Sequence, residues 1–296
     1  MKIIRVHHRD QSANRVFQLL LAMRLAGMAP GARVVGYDLG IFGVRDGAPR
    51  IPRQEKAIRI SGGHSVDLTR IAWYLNTGVV DDLTLHAYGL RMEYLPGPAK
   101  VRKLLGLDVD EQASDDCLCL HVRGGDVMEG SHHDYWPLPI AHYRAVIAES
   151  GLRPVFIGQL DESDYCQALR TAFPDAEFVP PGEPLDDFRR LMRGRHVAPA
   201  ISTFSWLAAW LSPAAERIFL PVAGLLHPRQ RPDIDLLPLD DQRYRFRALP
   251  PRKFMATPEE FRALIEQPDG GGWVSLEEVR GLILAGIDGR RADFGG

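Results

Sequence analysis

Hydrophobic and polar positions follow two periods along the chain, which predicts short strands followed by amphipathic helices. Ile3 to Val6 is a short apolar run, and apolar residues then recur at helical spacing from Asn14 to Ala26. Gly27 ends this predicted helix, and Arg33 to Tyr37 indicates a second strand. The order of strand, turn and helix is typical of a Rossmann-type opening.

The same alternation continues, and it is clearer in the second half of the chain. The first half adds a predicted helix at 66–75 and a strand at 83–88. The second half has predicted strands at 118–122, 154–158, 177–179, 196–200 and 217–220, and predicted helices at 139–149, 163–173, 186–193 and 205–211. Strands that alternate with helices predict an α/β fold with parallel sheets flanked by helices.

Proline and glycine divide the chain into domains. Pro96-Gly97-Pro98 starts a predicted linker, which places the boundary near residues 96–115. We therefore expect an N-terminal Rossmann-like domain at 1–105, a second domain at 106–250 and a helical tail at 251–296. Thr257 and Ser275 begin helices of the tail, because each is followed three residues later by a glutamate, as in a capping box.

The composition is that of a soluble globular protein. Hydrophobic residues make up 45% and charged residues 25% of the 296 residues, and the net charge of −2 gives no reason to expect a nucleic-acid partner. Three cysteines are too few for a disulfide framework, which favours the reducing cytoplasm. No apolar run approaches the roughly 18 residues of a membrane span, so any work at a membrane would be peripheral, at its inner face.

The first candidate site follows the predicted strand Leu118 to Val122. His121, Arg123, Gly124-Gly125 and Asp126 lie at or after its carboxyl end, where α/β proteins place polar ligand-binding groups. The Arg123 guanidinium suits a phosphate, the glycines leave room for a ligand, and Asp126 could orient the guanidinium. The alternative is a surface salt bridge between Arg123 and Asp126.

The second candidate site is the stretch Ile201 to Trp206. Its hydroxyl residues Ser202, Thr203 and Ser205 fall at the N-terminus of a predicted helix, where free amides and the helix dipole favour an anion. A simple N-cap is the alternative. Three hydroxyls in four residues exceed what a cap requires, which favours a phosphate.

Other patterns argue against other chemistries. The chain has neither a Gly-x-Gly-x-x-Gly fingerprint nor a Walker loop, which argues against nicotinamide cofactors and ATP. His132-His133-Asp134 lacks a second pair of ligands, so we expect no metal site. Trp206 and Trp210 lie four residues apart on one helix face and are expected in the core. Asn14 stands at a helix start, after the turn that contains Asp10.

Together these stretches resemble the bacterial α-1,2-fucosyltransferase family, and more distantly the protein O-fucosyltransferases and α-1,6-fucosyltransferases. The matching residues are the His-x-Arg-x-x-Asp motif at His121 to Asp126, Asp186-Asp187, Leu191-Met192, His196, and Ser-Thr-Phe-Ser-Trp at Ser202 to Trp206. In the first half, Asn14 and Phe17-Gln18 match the family's opening helix.

The resemblance implies a GT-B-like fold of two Rossmann-like domains, with the active site in a cleft between them and no metal. It implies an inverting transfer of fucose from GDP-fucose to a glycan hydroxyl. Arg123 would bind the β-phosphate, His121 would lie near the nucleoside, and Asn14 would reach the donor from the first domain. The other donor-binding residues would be Ser202, Thr203, Phe204 and Asp187, with Asp126 as the orienting carboxylate.

The sequence departs from the family's pattern beside the key arginine. Members often have two consecutive arginines, whereas Gly124 follows Arg123 here. Two further hypotheses therefore stand beside the first: a glycosyltransferase that uses another nucleotide sugar, and a catalytically silent protein that binds sugar nucleotides or glycans. Asp10, Glu129 and Asp134 are candidate loop carboxylates for the acceptor's proton.

Overall fold

The computed structural model describes residues 1–7, 12–47, 51–107 and 116–293. The chain divides into two compact units, which are described separately. The first unit comprises Met1–Asp108 together with Asp233–Leu236, and the second comprises Val109–Pro232 together with Leu237–Gly296. Asp10 lies outside the described residues. No described helix has the length and apolar character needed to cross a bilayer.

The first unit is a parallel sheet with helices. Its strands are β1 (Lys2–Val6), β2 (Ala32–Val35), β3 (Asp38–Leu39), β4 (Val44–Arg45), β5 (Ala57–Ile60) and β6 (Asp82–Leu85); its helices are α1 (Ser12–Met28), α2 (Leu68–Asn76) and α3 (Pro98–Leu105). The sheet has the order β2-β1-β6-β5 with every pair parallel, and β3 and β4 form a separate antiparallel ribbon.

The first unit's core lies between this sheet and the helices α1 and α2. Leu21 and Leu25 of α1 and Leu75 of α2 pack with Ile4 and Leu83 of the central strands. These residues recur at helical spacing in the helices and form short apolar runs in the strands, which is why the periodicity predicted both kinds of element.

The second unit contains a larger sheet. Its strands are β7 (Cys117–Val122), β8 (Arg153–Gly158), β9 (Glu177–Phe178), β10 (His196–Ala198), β11 (Arg217–Val222), β12 (Tyr244–Ala248) and β13 (Gly272–Val274); its helices are α4 (Ile140–Ser150), α5 (Asp164–Ala172), α6 (Pro184–Arg193), α7 (Thr203–Leu211), α8 (Pro258–Glu266) and α9 (Leu276–Asp293).

The strands of the second sheet run in the order β13-β12-β11-β10-β7-β8-β9. The pairs are parallel except for β12 with β13, which are antiparallel. Every residue of β7 is buried, as expected for a central strand of a parallel sheet with both faces covered.

The predicted α/β class with parallel sheets flanked by helices is confirmed, and most predicted elements begin and end within a few residues of the observed ones. The periodicity missed the short strands β3 and β4, and also β5, β12 and β13. In β12 the residues Arg245 and Arg247 interrupt the apolar pattern. The segment after residue 250 is part of the second unit, because β13 adds a strand to that unit's sheet.

Buried ionic contacts explain why Arg247 can occupy a central position. Its guanidinium donates to both carboxylate oxygens of Asp269, at 2.6 and 2.9 Å, and to the carbonyl oxygen of Gly271. It also contacts His142 Nδ1 at 3.2 Å. Burial alone would raise the pKa of Asp269, but the contacts with Arg247 and Gly271 lower it. The pair therefore fixes the segment before β13 against β12.

We expect Asp269→Asn to lower the free energy of unfolding by about 3 kcal/mol, because it leaves a buried guanidinium without its counter-charge. The matched control is Glu177→Gln, which removes the partner of Arg153 in an exposed ion pair and should cost less than about 1 kcal/mol. Urea unfolding of both variants measures the difference. Equal losses would show that the Arg247 pair has no special structural weight.

Candidate functional site

The two candidate stretches of the second unit meet at the carboxyl ends of two neighbouring strands. β10 pairs with β7 in the register His196 with Leu118 and Ala198 with Leu120, so the segments that follow the two strands leave the sheet side by side. The rings of His121 and Phe204 lie with their centroids 5.9 Å apart. The sheet therefore brings together two motifs that are far apart in the sequence.

Arg123 is the cation at this position. Its Nη2 donates to Asp126 Oδ1 at 2.6 Å, and the two side chains are 21% and 45% exposed. The salt bridge considered from the sequence is thus present. The salt bridge leaves one donor of the guanidinium unsatisfied, because Arg123 Nε is buried without a hydrogen-bond partner among the described residues. A buried N–H of this kind is costly, so this donor favours an acceptor from a ligand or water.

The two glycines after Arg123 pack closely against Gln159. The Gly124 amide donates to Gln159 Oε1 at 3.2 Å, and a Cβ at Gly124 would lie 2.8 Å from the Gln159 carbonyl oxygen. Gly125 has a φ of +61°. A second arginine after Arg123 would therefore displace the residue that follows β8, which gives a structural reason for the departure from the fucosyltransferase pattern.

His121 is buried and uncharged. Burial, together with the charge of Arg123, lowers the pKa of His121 to about 3. Its Nδ1 is buried without a hydrogen-bond partner among the described residues. The ring also contacts the end of β8, since a Cβ at Gly158 would lie 2.9 Å from His121 Nε2. A neutral ring of this kind can hydrogen-bond a polar ligand but adds no positive charge for a phosphate.

The hydroxyls near α7 cap the helix and shape the preceding turn. Ser202 is the N-cap residue, and its Oγ accepts from the amide of Phe204 at 3.2 Å. Ser205 Oγ accepts from the amide of Ala200 at 3.1 Å. Thr203 is buried at the first helical position. Ser202 is therefore a helix cap, as the alternative interpretation predicted. The positive end of the α7 dipole remains at this N-terminus, which follows the strand paired with β7.

A cluster of aromatic rings joins α6 to this site. Phe188 of α6 packs edge to face against Phe204, with ring centroids 5.2 Å apart. Asp187 precedes Phe188 in the first turn of α6, and burial raises its pKa. Asp187 therefore lies in the helix that contacts the site's aromatic rings, as an acidic group that is partly removed from water.

The remaining predicted site residues have other surroundings. Asn14 lies in the first turn of α1 in the first unit, two residues after the helix begins at Ser12. Asp134 accepts from Gln230 at 2.7 Å and from Arg231 at 3.1 Å, so it stabilises a loop and is a poor candidate for the base. Glu129 is exposed.

The histidines at 132–133 do not form a ligand set. His133 Nδ1 contacts the carbonyl oxygen of Phe254 at 3.1 Å, and the part of the chain that the structure describes holds no group of three or more His, Cys, Asp or Glu arranged to bind a metal. The rings of Trp206 and Trp210 stack in the core, with their centroids 5.6 Å apart.

Sequence reasoning missed Gly158 and Gln159. Gly158 is the last residue of the predicted strand 154–158, and Gln159 comes directly after it. The carboxyl end of this strand lies beside that of β7, with Val122 paired to Gly158. Glycine at the last position of a strand signals a close approach of another group, and here Gly158 has a φ of +117° and contacts His121. Only the strand order shows that the contacting group is His121.

Comparisons with known proteins gave distant structural likenesses. No protein-family model and no curated protein sequence matches the chain. Among solved structures, the E. coli heptosyltransferase WaaC with ADP is 13% identical with a TM-score of 0.38, over 75% of this chain and 87% of that one. WaaC with ADP-2-deoxy-2-fluoro heptose is 11% identical with a TM-score of 0.40, over 75% and 88%. The E. coli ADP-heptose lipopolysaccharide heptosyltransferase II is 13% identical with a TM-score of 0.40, over 96% and 99%.

Three histidines of the second unit make stability depend on pH. Burial and neighbouring arginines lower the pKa of His121 and His142 to about 3 and that of His227 to about 4. In the unfolded chain each would titrate near about 6.5, so between about pH 6.5 and 4 the unfolded state binds more protons. The free energy of unfolding should therefore fall as the pH is lowered through this window.

Urea unfolding between pH 8 and 4 tests this expectation. His227→Asn should reduce the slope, because one of the three histidines no longer takes up a proton on unfolding. His132→Asn is the matched control, since that side chain is exposed, and it should leave the slope unchanged. A slope that is identical in all three proteins would contradict the assignment.

Proposed function

We propose that the second unit binds the diphosphate of a nucleotide sugar and that the protein is a glycosyltransferase. The observation that carries the proposal is the buried Nε of Arg123, which has no hydrogen-bond partner among the described residues and follows the strand that pairs with β10, the strand before α7. A guanidinium and a helix N-terminus are both suited to an anion, and the β7 and β10 pairing brings them to one edge of the sheet.

The chemistry of glycosyl transfer would use this positive region directly. When the bond between the anomeric carbon and the diphosphate breaks, negative charge grows on the departing phosphate oxygens. Groups already oriented toward that charge stabilise the transition state more than the ground state, by a few kcal/mol for each donor. Asp126 would keep the Arg123 guanidinium oriented, so Asp126 is assigned a positioning role and Arg123 the catalytic role.

The neutral aromatic side of the site suits the nucleoside. His121 and Phe204 contact each other, and Phe188 contacts Phe204 from α6. An uncharged imidazole with an unpartnered buried nitrogen could exchange a hydrogen bond with a base or ribose. Asp187, in the same helix as Phe188, would accept a hydrogen bond from a hydroxyl of the ligand. This division of roles assigns charge recognition to Arg123 and base recognition to the rings.

The resemblance to the bacterial α-1,2-fucosyltransferases supplies the finer proposal. It is an inverting, metal-independent transfer of fucose from GDP-fucose to a glycan hydroxyl, in a GT-B-like arrangement to which the first unit contributes Asn14. One observation favours the alternatives. Gly124 packs against Gln159 and leaves no space for the family's second arginine, as in an enzyme for another nucleotide sugar or a protein that binds without turnover.

Arg123→Ala should lower kcat/KM for the donor by about 100-fold to 1000-fold while leaving the melting temperature nearly unchanged, because it removes charge stabilisation of the leaving group. Arg123→Lys should recover part of the loss, since the charge remains but the planar fork is absent. Arg144→Ala, at an exposed position of α4, is the control. Steady-state kinetics measures all three, and wild-type turnover in Arg123→Ala would overturn the catalytic role.

Ser202→Ala combined with Thr203→Val should weaken nucleoside diphosphate binding by roughly tenfold, because the proposed anion site at the start of α7 would lose two hydroxyl groups. Ser163→Ala is the matched control, since Ser163 caps α5 through the amide of Cys166 in the same unit. Calorimetry should show weaker binding only in the first variant. If binding weakens in neither, Ser202 is a helix cap and nothing more.

A donor panel separates the three hypotheses. Thermal shift with GDP-, UDP-, CMP- and ADP-sugars, followed by an assay of donor hydrolysis and transfer, gives a different result for each. Turnover selective for GDP-fucose supports the fucosyltransferase, turnover with another donor supports a different glycosyltransferase, and binding without turnover supports the silent protein. Absence of binding to every nucleotide would overturn the proposal as a whole.

A further inference from the structure

An exposed aromatic residue with cations around it marks one end of the first unit. Trp73 of α2 is 55% exposed, and Val79, just after that helix, is 53% exposed. The hydroxyl of Thr77 donates to the Trp73 carbonyl oxygen at 2.8 Å, which fixes the turn between the two apolar side chains. Large exposed side chains of this kind indicate a contact surface when they occur together.

Two cations are held at the C-terminal end of α2 by hydrogen bonds, and a third lies along the same helix. Lys2 Nζ donates to Asn76 Oδ1 at 2.7 Å, and Lys56 Nζ donates to the Gly78 carbonyl oxygen at 2.9 Å. Arg70 Nε donates to the Tyr74 hydroxyl at 3.0 Å. None of these three forms an ion pair with a carboxylate among the described residues. We refer to Trp73, Val79, Lys2, Lys56 and Arg70 as the tryptophan patch.

Three acidic side chains, Glu55, Asp67 and Asp81, lie near the patch. Glu55 precedes Lys56, and Asp81 follows Val79 by two residues. The side chain of Asp81 is partly buried, with its Oδ1 out of contact with solvent. Asp67, the N-cap residue of α2, is exposed beside Arg70, because its Oδ1 accepts from the Arg70 amide at 2.9 Å. The patch thus has three cations and three nearby carboxylates, and any excess of positive charge comes from the rest of the first unit.

Charge is also divided unequally between the two units. Met1–Asp108 with Asp233–Leu236 contains 16 Lys and Arg against 11 Asp and Glu, a net charge of +5. Because the whole chain has a charge of −2, the second unit carries −7. The nearly neutral total thus conceals a basic unit, and an anionic surface would attract the first unit and repel the second.

We propose that the tryptophan patch docks on an anionic lipid surface. Tryptophan favours the boundary between lipid and water, and lysine and arginine beside it are attracted to acidic headgroups. Lys2, Ala57 and Asp82 begin β1, β5 and β6, so Lys2, Lys56 and Val79 lie at the amino end of the first unit's sheet. Asn14 follows the carboxyl end of β1, so docking leaves that edge of the sheet uncovered.

Sedimentation with phospholipid vesicles tests the proposal. The full chain should bind vesicles of phosphatidylcholine with about 30% phosphatidylglycerol and leave pure phosphatidylcholine vesicles largely unbound, and added salt should weaken the binding. Trp73→Ala, and separately Lys2→Gln with Lys56→Gln and Arg70→Gln, should each lower the partition coefficient by roughly tenfold or more.

Two matched controls separate the patch from general effects. Met255→Ala removes an equally exposed apolar side chain of the second unit, and Arg153→Gln with Arg195→Gln and Arg245→Gln makes the same change in net charge there. Both should bind like the wild type. Brominated lipids should quench part of the tryptophan fluorescence, and Trp73→Phe should abolish that quenching. These readouts do not depend on donor turnover, so they are independent of the proposed enzymatic activity.

Equal binding to both kinds of vesicle, or equal losses in patch and control variants, would overturn the lipid proposal. A second copy of the chain is the competing occupant. Analytical ultracentrifugation tests this alternative. The lipid proposal is wrong, and the patch is a contact between copies, if three results occur together: the wild type self-associates, Trp73→Ala is monomeric, and neither protein binds vesicles.

Discussion

The parallel pairing of β7 with β10 is the constraint on which the candidate site depends. β10 is short, yet its register with β7 determines that the turn before α7 lies beside the residues that follow β7. The contact between His121 and Phe204 is a direct consequence. A different strand order would leave Arg123 and the start of α7 as two unrelated features, an ion pair and a helix cap.

Close packing around β8 limits which side chains fit at the carboxyl ends of β7 and β8. Gly158 leaves room for the His121 ring, and Gly124 leaves room for the carbonyl oxygen of Gln159. Because both positions are filled by neighbouring groups, the edge carries one arginine and a neutral ring. The site is therefore less positive than a pair of arginines would make it, and the ligand binding proposed for it would depend more on shape and on the helix N-terminus.

Burial has two opposite consequences in the second unit. It keeps His121 uncharged, which suits contact with a nucleoside, and it also makes His121, His142 and His227 a source of instability in acid. Arg247 and Asp269 show how the same unit accommodates charge when both partners are present. Arg123 differs from them, because its Nη2 binds Asp126 while its Nε has no hydrogen-bond partner in the part of the chain that the structure describes.

The sequence by itself determined the α/β class, the positions of most strands and helices, and the two stretches that carry Arg123 and Ser202, because these depend on local periodicity and on short motifs. It could not show that β12 is a strand with a neighbour on each side, since the buried partner of Arg247 lies 22 residues away in the chain. Nor could it show that Gly124 packs against Gln159, or that Asp134 accepts hydrogen bonds from Gln230 and Arg231. The exposure of Trp73 was equally out of reach. These depend on strand order and on contacts between distant residues, which only the tertiary structure decides.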